Sequence, residues 1–202
     1  MLNSVGLQNP GLHDVIDKEL PKLAKVYKKP VIANISGFSI DEYVSCAKAM
    51  DTHKQIGIIE VNISCPNVHN GGMSFGTLPE SAQDVTMAVK SVTSKPVVMK
   101  LSPNVTDIAE IAKACEAGGA DGISLINTVL GMRIDIAARK PVLANKVGGY
   151  SGPGIFPIAL RMVYQVAQAV KIPVMGMGGI QSARDVLEMM MAGASAVQIG
   201  AT

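Results

Sequence analysis

Six short apolar runs alternate with helical segments along the chain, and this alternation limits the possible folds more than any other feature. The runs lie at 31–35, 58–63, 97–101, 122–126, 174–177 and 196–199. One helix is predicted before the first run and one in each gap, at 12–27, 39–50, 79–92, 105–117, 156–170 and 182–193. The runs are continuous rather than alternating, which is typical of strands covered on both faces. The order therefore predicts an α/β fold built from parallel βα units.

A weak internal repeat favours a closed barrel over an open sheet. Lys-Pro-Val at 29–31 and 95–97 and Ile-Pro-Val at 172–174 each open a strand, and each is followed by a second strand one helix later. A TIM (β/α)8 barrel needs eight strands and typically about 250 residues. The 202 residues are therefore expected to form one barrel domain truncated to about six strands, incomplete at both ends. An open six-stranded sheet is the alternative, disfavoured because no Gly-x-Gly-x-x-Gly follows a strand.

Composition excludes several classes of protein. Apolar residues make up 48% and charged residues 17%, which is unlike a disordered chain. The net charge is +2 without a dense Lys/Arg run, so no nucleic-acid partner is expected. The longest apolar run contains glycines and is too short to span a membrane. Three cysteines without a Cys-x-x-Cys pair suggest neither a metal site nor disulfides, and a cytoplasmic location is expected.

Polar side chains recur where the strands end. Asn34, Asn62, Asn104 and Asn127 follow four different strands, and Cys65 lies just past one of them. In a β/α barrel these ends meet on the rim that carries the chemistry. Cys65 is followed by a glycine-rich loop that is a candidate lid. The sequence leaves two interpretations of Cys65, a reactive thiol and a packed one, and each Asn alone is commonly a turn former.

The last two strands and one lysine suggest a phosphate-bearing cofactor. Gly178 and Gly179 precede a helix capped by Ser182, and Gly200 ends the last strand. Glycines there allow backbone N–H groups to approach an anion. Lys100 interrupts an apolar strand, so it needs an anionic partner. A flavin fits both features, while the alternatives are ordinary turn glycines and a structural ion pair for Lys100.

Several segments together resemble class 1 dihydroorotate dehydrogenases, most closely the class 1B (NAD-linked) catalytic subunit. The segments are Asn3-Ser-Val-Gly-Leu-Gln-Asn-Pro-Gly11, Asn62-Ile-Ser-Cys-Pro-Asn67, Asn70-Gly-Gly-Met-Ser-Phe-Gly-Thr77, Lys100-Leu-Ser-Pro-Asn104, Ile126-Asn-Thr128, Gly148-Gly-Tyr-Ser-Gly152, Gly178-Gly-Ile180 and Val197-Gln-Ile-Gly200. The resemblance covers essentially the whole chain. It implies a TIM barrel that holds FMN and oxidises dihydroorotate to orotate in de novo pyrimidine biosynthesis.

The resemblance also implies roles for individual residues. Cys65 would be the general base that takes the C5 proton while C6 gives hydride to the flavin. The substrate would be held by Asn3, Val5, Gly6, Leu7, Asn62, Asn67, Asn127 and Thr128. The flavin would be lined by Asn34, Asn62, Lys100, Ile126, Gly152, Gly178, Gly179, Gly200 and Ala201.

Partners follow from the same resemblance. A homodimer is expected, together with a second subunit that carries FAD and an iron–sulfur cluster and passes electrons to NAD.

The chain departs from the family at two places. The last strand of the family usually ends Gly-Thr-Ala, whereas this chain reads Gly200-Ala-Thr202. Family members also have a Lys and a flavin-contacting Ser ahead of the segment matched here. A related flavin barrel that acts on dihydropyrimidines, a flavin-free phosphate-binding barrel and a non-catalytic fragment are the alternatives.

Overall fold

The computed structural model describes residues 1–64 and 75–200. Its strands in chain order are β1 (Leu2–Asn3), β2 (Val31–Ile35), β3 (Ile56–Asn62), β4 (Val97–Lys100), β5 (Gly122–Leu125), β6 (Val129–Met132), β7 (Ile134–Asp135), β8 (Lys140–Pro141), β9 (Val147–Tyr150), β10 (Val174–Met177) and β11 (Ala196–Gln198). The α-helices are α1 (Leu12–Asp14), α2 (Leu20–Val26), α3 (Ile40–Asp51), α4 (Pro79–Lys90), α5 (Ile108–Ala117), α6 (Phe156–Ala169) and α7 (Ala183–Met191). None of these helices is long and apolar enough to cross a membrane.

Within the described residues, six parallel strands form the central sheet in the order β11-β10-β5-β4-β3-β2. This order follows the chain without a reversal. An open doubly wound sheet would reverse its strand order at a switch point, so the sheet has the topology of consecutive barrel strands. The predicted α/β fold with six barrel strands is confirmed, and the alternative of an open sheet is not supported.

The sheet separates an apolar layer from a polar one. Ile59, Val61, Met99, Ile123 and Leu125 point to the helix side and are fully or almost fully buried. Their burial against the helices supplies the main stabilisation of the fold, at about 25 cal/mol per Å² of apolar surface. The opposite, concave face carries charged and amide side chains near the carboxyl ends of the strands, and this face holds the candidate site.

Glu60 shows how strongly the sheet curls. Its carboxylate is 4% exposed and accepts hydrogen bonds from Asn34 Nδ2 at 2.6 Å, Ser124 Oγ at 2.7 Å and Gln198 Nε2 at 2.9 Å. Gln198 lies on β11, four strands from Glu60 on β3. In a flat sheet this separation would be about 19 Å, at roughly 4.8 Å per strand. Two side chains cannot bridge that distance, so the sheet must be rolled like the wall of a barrel.

The first helix departs from the predicted single α-helix. A π-helical turn, Val15–Glu19, separates α1 from α2, and Leu20 donates its N–H to the carbonyl of Val15. Pro21 follows directly. Its missing N–H and its ring exclude a regular i→i−4 bond at this point, and the wider turn accommodates it.

Helix α5 begins three residues later than the predicted start at 105. Asp107 is its N-cap, and its carboxylate accepts from the N–H groups of Ala109 at 2.8 Å and Glu110 at 3.3 Å. An acidic N-cap satisfies two otherwise unpaired donors, which fixes the helix start. Ser39 and Ser182 cap α3 and α7 as their sequence positions predict.

The predicted long loop at 128–157 is wrong in detail, because much of it is β-structure. Strands β6 and β9 pair antiparallel, and β7 pairs with β8 to form a hairpin between them. We call residues 129–150 the arm. The N-terminal segment, predicted to be loop, also contributes β1, which pairs with β9. Much of the arm is exposed, so its strands lack the apolar runs that identify buried strands.

Carboxylates hold the turns at the amino ends of the strands. Asp121 accepts from the N–H of Val97 at 2.7 Å, and Glu116 accepts from that of Lys171 at 2.7 Å. Asp51 accepts from the Thr93 hydroxyl and from the N–H of Ser94, and these bonds hold the pKa of its carboxyl below the ordinary value. These contacts lie at the end of the sheet away from the polar strand ends, so we assign them to the stability of the fold.

We predict that the Asp51 contacts make the fold sensitive to acid. Because the pKa of Asp51 is lower in the folded chain, its stabilisation is complete above about pH 4 and is lost as the pH falls below it. Asp51→Asn should therefore reduce the acid-induced drop in Tm, measured by thermal unfolding from pH 7 to pH 3. Asp17→Asn, at an exposed position, is the control. Equal pH profiles for the Asp51 variant and wild type would contradict the assignment.

The Glu60 contacts predict a second effect on stability. Glu60→Gln replaces one acceptor oxygen by a donor while all three donors remain. The unpaired group should lower the free energy of unfolding by about 1–3 kcal/mol, measured by urea denaturation. Glu80→Gln makes the same change at an exposed site and should stay within about 0.5 kcal/mol of wild type. Similar small losses in both variants would show that the three hydrogen bonds do not stabilise the sheet.

Candidate active site

The register of the sheet brings three polar residues side by side on the concave face. Asn62 on β3 is paired with Lys100 on β4, and Lys100 is paired with Ser124 on β5. Paired residues of neighbouring strands point to the same face. One strand further out, Asn34 is paired with Glu60. The amide and lysine residues that the sequence placed at separate strand ends therefore share one surface.

Lys100 has no carboxylate partner among the described residues, although Glu60 lies on the same face. The ion pairs in this part of the chain involve other lysines and arginines. The Glu60 oxygens already accept three neutral donors. The alternative of a structural ion pair for Lys100 is thus not realised here. Its half-buried ammonium remains available for an anionic or electron-rich group.

A cleft of about 270 Å³ opens at this end of the sheet. Its wall is formed on one side by Asn62, Asn127 and Thr128, at the ends of barrel strands. The other side comes from the N-terminal segment and from β9 of the arm. The full lining is Asn3, Ser4, Gly6, Leu7, Asn62, Asn127, Thr128, Leu130, Val147, Gly148 and Gly149.

The pairing of β1 with β9 places the N-terminal residues of the cleft. Asn3 is in register with Gly149, so the N-terminal strand lies along the arm above the sheet. A side chain at Gly149 would overlap the Thr128 side chain, and one at Gly148 would overlap the carbonyl of Asn3. Glycine at both positions is what allows the arm, the N-terminal strand and the sheet to meet.

Asn104 orients the segment that carries Thr128. Its Nδ2 donates to the carbonyl of Thr128 at 3.1 Å, and its Oδ1 accepts from the N–H of Leu130 at 2.8 Å. Both ends of the amide are thus used in the protein. Asn104 thus links the β4 end to the arm, whereas Asn34, Asn62 and Asn127 each use only one end of the amide within the described residues.

Hydrogen bonds within the protein link the two central amides. Asn127 Nδ2 donates to Ser64 Oγ at 2.6 Å, and the Ser64 hydroxyl donates to Asn62 Oδ1. The Tyr43 hydroxyl donates to the backbone carbonyl of Asn62 at 2.8 Å, and the Tyr43 ring packs edge-on against Phe75. The end of β3 is therefore held by both side-chain and backbone contacts.

Three glycines form a tight backbone cluster beside β10. Gly152, Gly178 and Gly179 all have positive φ, at 107°, 121° and 75°. A Cβ at Gly179 would lie 2.8 Å from both the Gly152 carbonyl oxygen and the Phe156 nitrogen. The positive φ at all three positions would strain any other residue, and at Gly179 a side chain would also overlap the backbone. Buried Ile126 lies beside the same cluster, 3.4 Å from a Cβ at Gly178.

The N-terminus of helix α7 is capped within the protein, although its position after the two glycines suggests that it binds an anion. Its capping box is complete, with the Asp185 carboxylate accepting from the N–H groups of Gln181 and Ser182. These bonds hold the pKa of Asp185 below its usual value. In the described part of the chain the N–H groups of Gly179 and Gly200 donate to no protein acceptor. An anion would therefore be bound mainly by glycine backbone.

Burial disfavours the thiolate form of both described cysteines. Cys115 is fully buried, and burial raises its pKa to about 12. The pKa of Cys46 is also raised, mainly by burial and further by the Glu42 charge. Both thiols stay protonated at neutral pH and act in packing, as predicted. Among residues 1–64 and 75–200, no group of three or more His, Cys, Asp and Glu side chains could hold a metal ion.

Apart from the described flavin-lining candidates, the predicted site residues divide into three groups. Asn3, Gly6, Leu7, Asn62, Asn127 and Thr128 are brought together in the cleft. Val5 is 67% exposed and does not line it. Cys65 and Asn67, residues 70–74 of the glycine-rich loop and the flavin-lining candidate Ala201 lie outside the described residues.

A second, wider cleft of about 740 Å³ borders the outer edge of β2. It runs between that strand and the first helix, and it includes Asn34, Ser36 and Cys46.

Glu60, Ser64 and Tyr43 were not predicted as part of the site. Glu60 could have been identified in the same way as Lys100, because both are charged residues within an apolar strand. Nothing in the sequence distinguishes Ser64 or Tyr43 from ordinary core residues.

Comparison with known proteins agrees with this geometry. Residues 1–202 match the dihydroorotate dehydrogenase family. The chain is 58% identical over 200 residues to the catalytic subunit of dihydroorotate dehydrogenase B (NAD(+)) from Geobacillus sp. (strain WCH70), covering 99% of this chain and 64% of that protein. The same subunit of Halalkalibacterium halodurans is also 58% identical, with 99% and 65% covered. The chain thus spans slightly less than two thirds of the length of these relatives.

A solved structure shares the fold at low sequence identity. FabK from Thermotoga maritima superposes with a TM-score of 0.58 and 17% identity, covering 94% of this chain and 47% of that one. This likeness concerns the barrel architecture alone. The family match over the full chain and the identity to the dihydroorotate dehydrogenase B subunits extend beyond the fold. The chain belongs to the dihydroorotate dehydrogenase family.

Proposed function

We propose that this chain is the FMN-binding barrel domain of a dihydroorotate dehydrogenase, which oxidises dihydroorotate to orotate in de novo pyrimidine (UMP) biosynthesis. The observation that carries the proposal is the cleft that gathers Asn3, Asn62, Asn127 and Thr128 next to the face carrying Lys100. Family membership and the names of the relatives support the same activity.

The cleft fits a small, polar, six-membered ring. Dihydroorotate has ring N–H groups, ring carbonyls and a carboxylate, which together need both donors and acceptors. Asparagine side chains supply one of each, and Thr128 adds a hydroxyl. A volume of about 270 Å³ suits a six-membered ring with one substituent. We propose that Asn67 and the backbone of Val5, Gly6 and Leu7 complete the substrate contacts.

The described residues also fit a flavin. Lys100 offers a cation without a carboxylate partner, and Gly179 and Gly200 offer free N–H groups for a phosphate. We propose that these residues hold FMN together with Asn34, Asn62, Ile126, Gly152, Gly178 and Ala201. Bound flavin would supply an acceptor for the hydride that leaves C6 of the substrate.

Cys65 is the proposed general base. It directly follows Ser64, which the Asn62 and Asn127 contacts hold at the end of β3. The thiolate would take the proton from C5, and the electron pair of that C–H bond would become the C5–C6 double bond as hydride leaves C6. Asn127 and Asn62 would keep the ring oriented while this occurs.

The function is tested by anaerobic reduction of the flavin-loaded chain. Dihydroorotate should bleach the flavin absorbance and dihydrouracil should not, because only dihydroorotate carries the carboxylate. Cys65→Ala should bind orotate normally and bleach about 10²–10⁴ times more slowly, the usual loss for a missing general base. Cys46→Ala is the matched control at a packing thiol and should react at the wild-type rate.

Three outcomes would count against the proposal. Bleaching by dihydrouracil but not dihydroorotate would favour a related dihydropyrimidine dehydrogenase. A chain that binds neither flavin nor orotate would favour a non-catalytic member of the family. An unchanged rate in Cys65→Ala would leave the reaction in place and remove the base assignment.

We further propose that the protein works in the cytoplasm as a homodimer with an electron-transfer subunit. That subunit would carry FAD and an iron–sulfur cluster and pass electrons to NAD. The relatives' names, which specify NAD(+) and a catalytic subunit, support a separate partner subunit and NAD as the acceptor. The arm supports association, because it exposes several large apolar side chains, namely Met132, Ile134, Ile136 and Val142.

We predict that Ile136 contributes to self-association. It is 88% exposed at the arm tip, and burying it between two copies would be favourable. Ile136→Lys should shift the protein from dimer to monomer in analytical ultracentrifugation. Leu187→Lys, at an exposed position on α7, is the control and should remain dimeric. A monomeric wild-type chain would contradict the homodimer, and a dimeric Ile136 variant would exclude the arm tip as its interface.

A further inference from the structure

We infer that Ser64 is a positioning residue, which sets the direction in which the Asn62 and Asn127 amides face the cleft. The inference deepens the proposed function and rests on it for the identity of the ligand. Ser64 is 3% exposed and does not line the cleft, so it acts on a ligand only through the two asparagines.

The direction follows from the hydroxyl group. Asn62 Oδ1 accepts from the Ser64 hydroxyl and also from the Ser64 N–H at 3.1 Å. A serine hydroxyl has one proton, so once it donates to Asn62 it can only accept from its other neighbour. Asn127 must therefore present its NH2 group, which donates to Ser64 Oγ at 2.6 Å. The chain Asn127→Ser64→Asn62 has one direction.

This direction decides what the cleft offers to a ligand. In the part of the chain that the structure describes, Asn62 Nδ2 donates to no protein acceptor, and Asn127 Oδ1 accepts from no protein donor. A ligand would thus meet a donor at Asn62 and an acceptor at Asn127. A ring carbonyl suits the first position and a ring N–H the second.

Without the Ser64 hydroxyl, each amide keeps a single bond to the Ser64 backbone, from the N–H to Asn62 Oδ1 at 3.1 Å and from Asn127 Nδ2 to the carbonyl at 3.4 Å. The two ends of a side-chain amide are similar in size, so rotation by 180° exchanges donor and acceptor at little steric cost. With fewer bonds to oppose this rotation, the amides would more often present like groups to the ligand, and each mismatch leaves a buried polar group unpaired. Preorganised amides avoid that loss, since their rotation is settled before the ligand arrives.

The β3 end is held by other contacts as well. The Tyr43 hydroxyl bonds the Asn62 backbone carbonyl, and the parallel register pairs Asn62 with Lys100. Ser64→Ala removes the hydroxyl and keeps these contacts. We therefore expect the variant to fold, with the loss confined to amide orientation.

The first test measures orotate binding by isothermal titration calorimetry with the flavin-loaded chain. Ser64→Ala should raise the Kd for orotate roughly tenfold or more, while the chain still retains its flavin. Ser81→Ala removes another buried serine hydroxyl, on α4 away from the cleft, and should leave the Kd unchanged. A Kd for Ser64→Ala within twofold of wild type would overturn the inference.

A double-mutant comparison separates positioning from general loss of stability. If Ser64 acts through Asn127, then Ser64→Ala added to Asn127→Ala should worsen the Kd much less than it does in the wild-type background. Full additivity of the two effects would overturn the assignment.

The second test needs no ligand and no Ser64 variant. In the ¹⁵N-labelled wild-type chain, the side-chain NH2 signals of Asn62 and Asn127 are assigned from their loss in Asn→Asp variants. Asn127 NH2 should exchange with solvent slowly because it is hydrogen bonded, and Asn62 NH2 should exchange faster. The reverse order would overturn the inference. If wild type binds no orotate, the proposed function fails while this measurement still decides the direction of the amides.

Discussion

The buried carboxylate of Glu60 is the contact on which the shape of this protein depends. A charge taken out of water costs free energy unless donors compensate it, and here the donors come from three different strands. Asn34 and Gln198 lie on the two edge strands of the six-stranded sheet. One side chain therefore joins both edges across the concave face, which is possible only because the sheet is rolled. The same roll brings the strand ends close enough to form one site.

The hydrogen bonding of Glu60 also affects the chemistry of the concave face of the sheet. Its neutral partners use its oxygens, so no ion pair forms with Lys100 among the described residues. A lysine on a face of amides and hydroxyls keeps its charge available for a bound anion. Glu60 and Lys100 thus lie on one surface, with Glu60 bonded within the sheet and the Lys100 ammonium without a hydrogen-bond partner among the described residues.

The cleft depends on a part of the chain that is not in the barrel sheet. The N-terminal strand pairs with the arm, and this pairing places Asn3 opposite the strand-end residues Asn127 and Thr128. Glycines at 148 and 149 allow the approach, and Asn104 holds the root of the arm. On the barrel side, Ser64 connects Asn62 with Asn127. The barrel strands supply a rigid base for the site, and the arm and N-terminal strand supply its far wall.

The sequence by itself determined the order of strands and helices, the α/β barrel class and the family. It also identified most residues of the rim, because the carboxyl ends of parallel strands meet on one edge whatever the details of packing. Local signals such as the Ser39 and Ser182 caps worked for the same reason, since they involve neighbours in the chain. Only the tertiary structure decided the pairing of β1 with β9, the three partners of Glu60 and the direction of the Asn127–Ser64–Asn62 chain. These features join residues far apart in sequence, and their geometry is set by the curvature of the sheet, which no local pattern encodes.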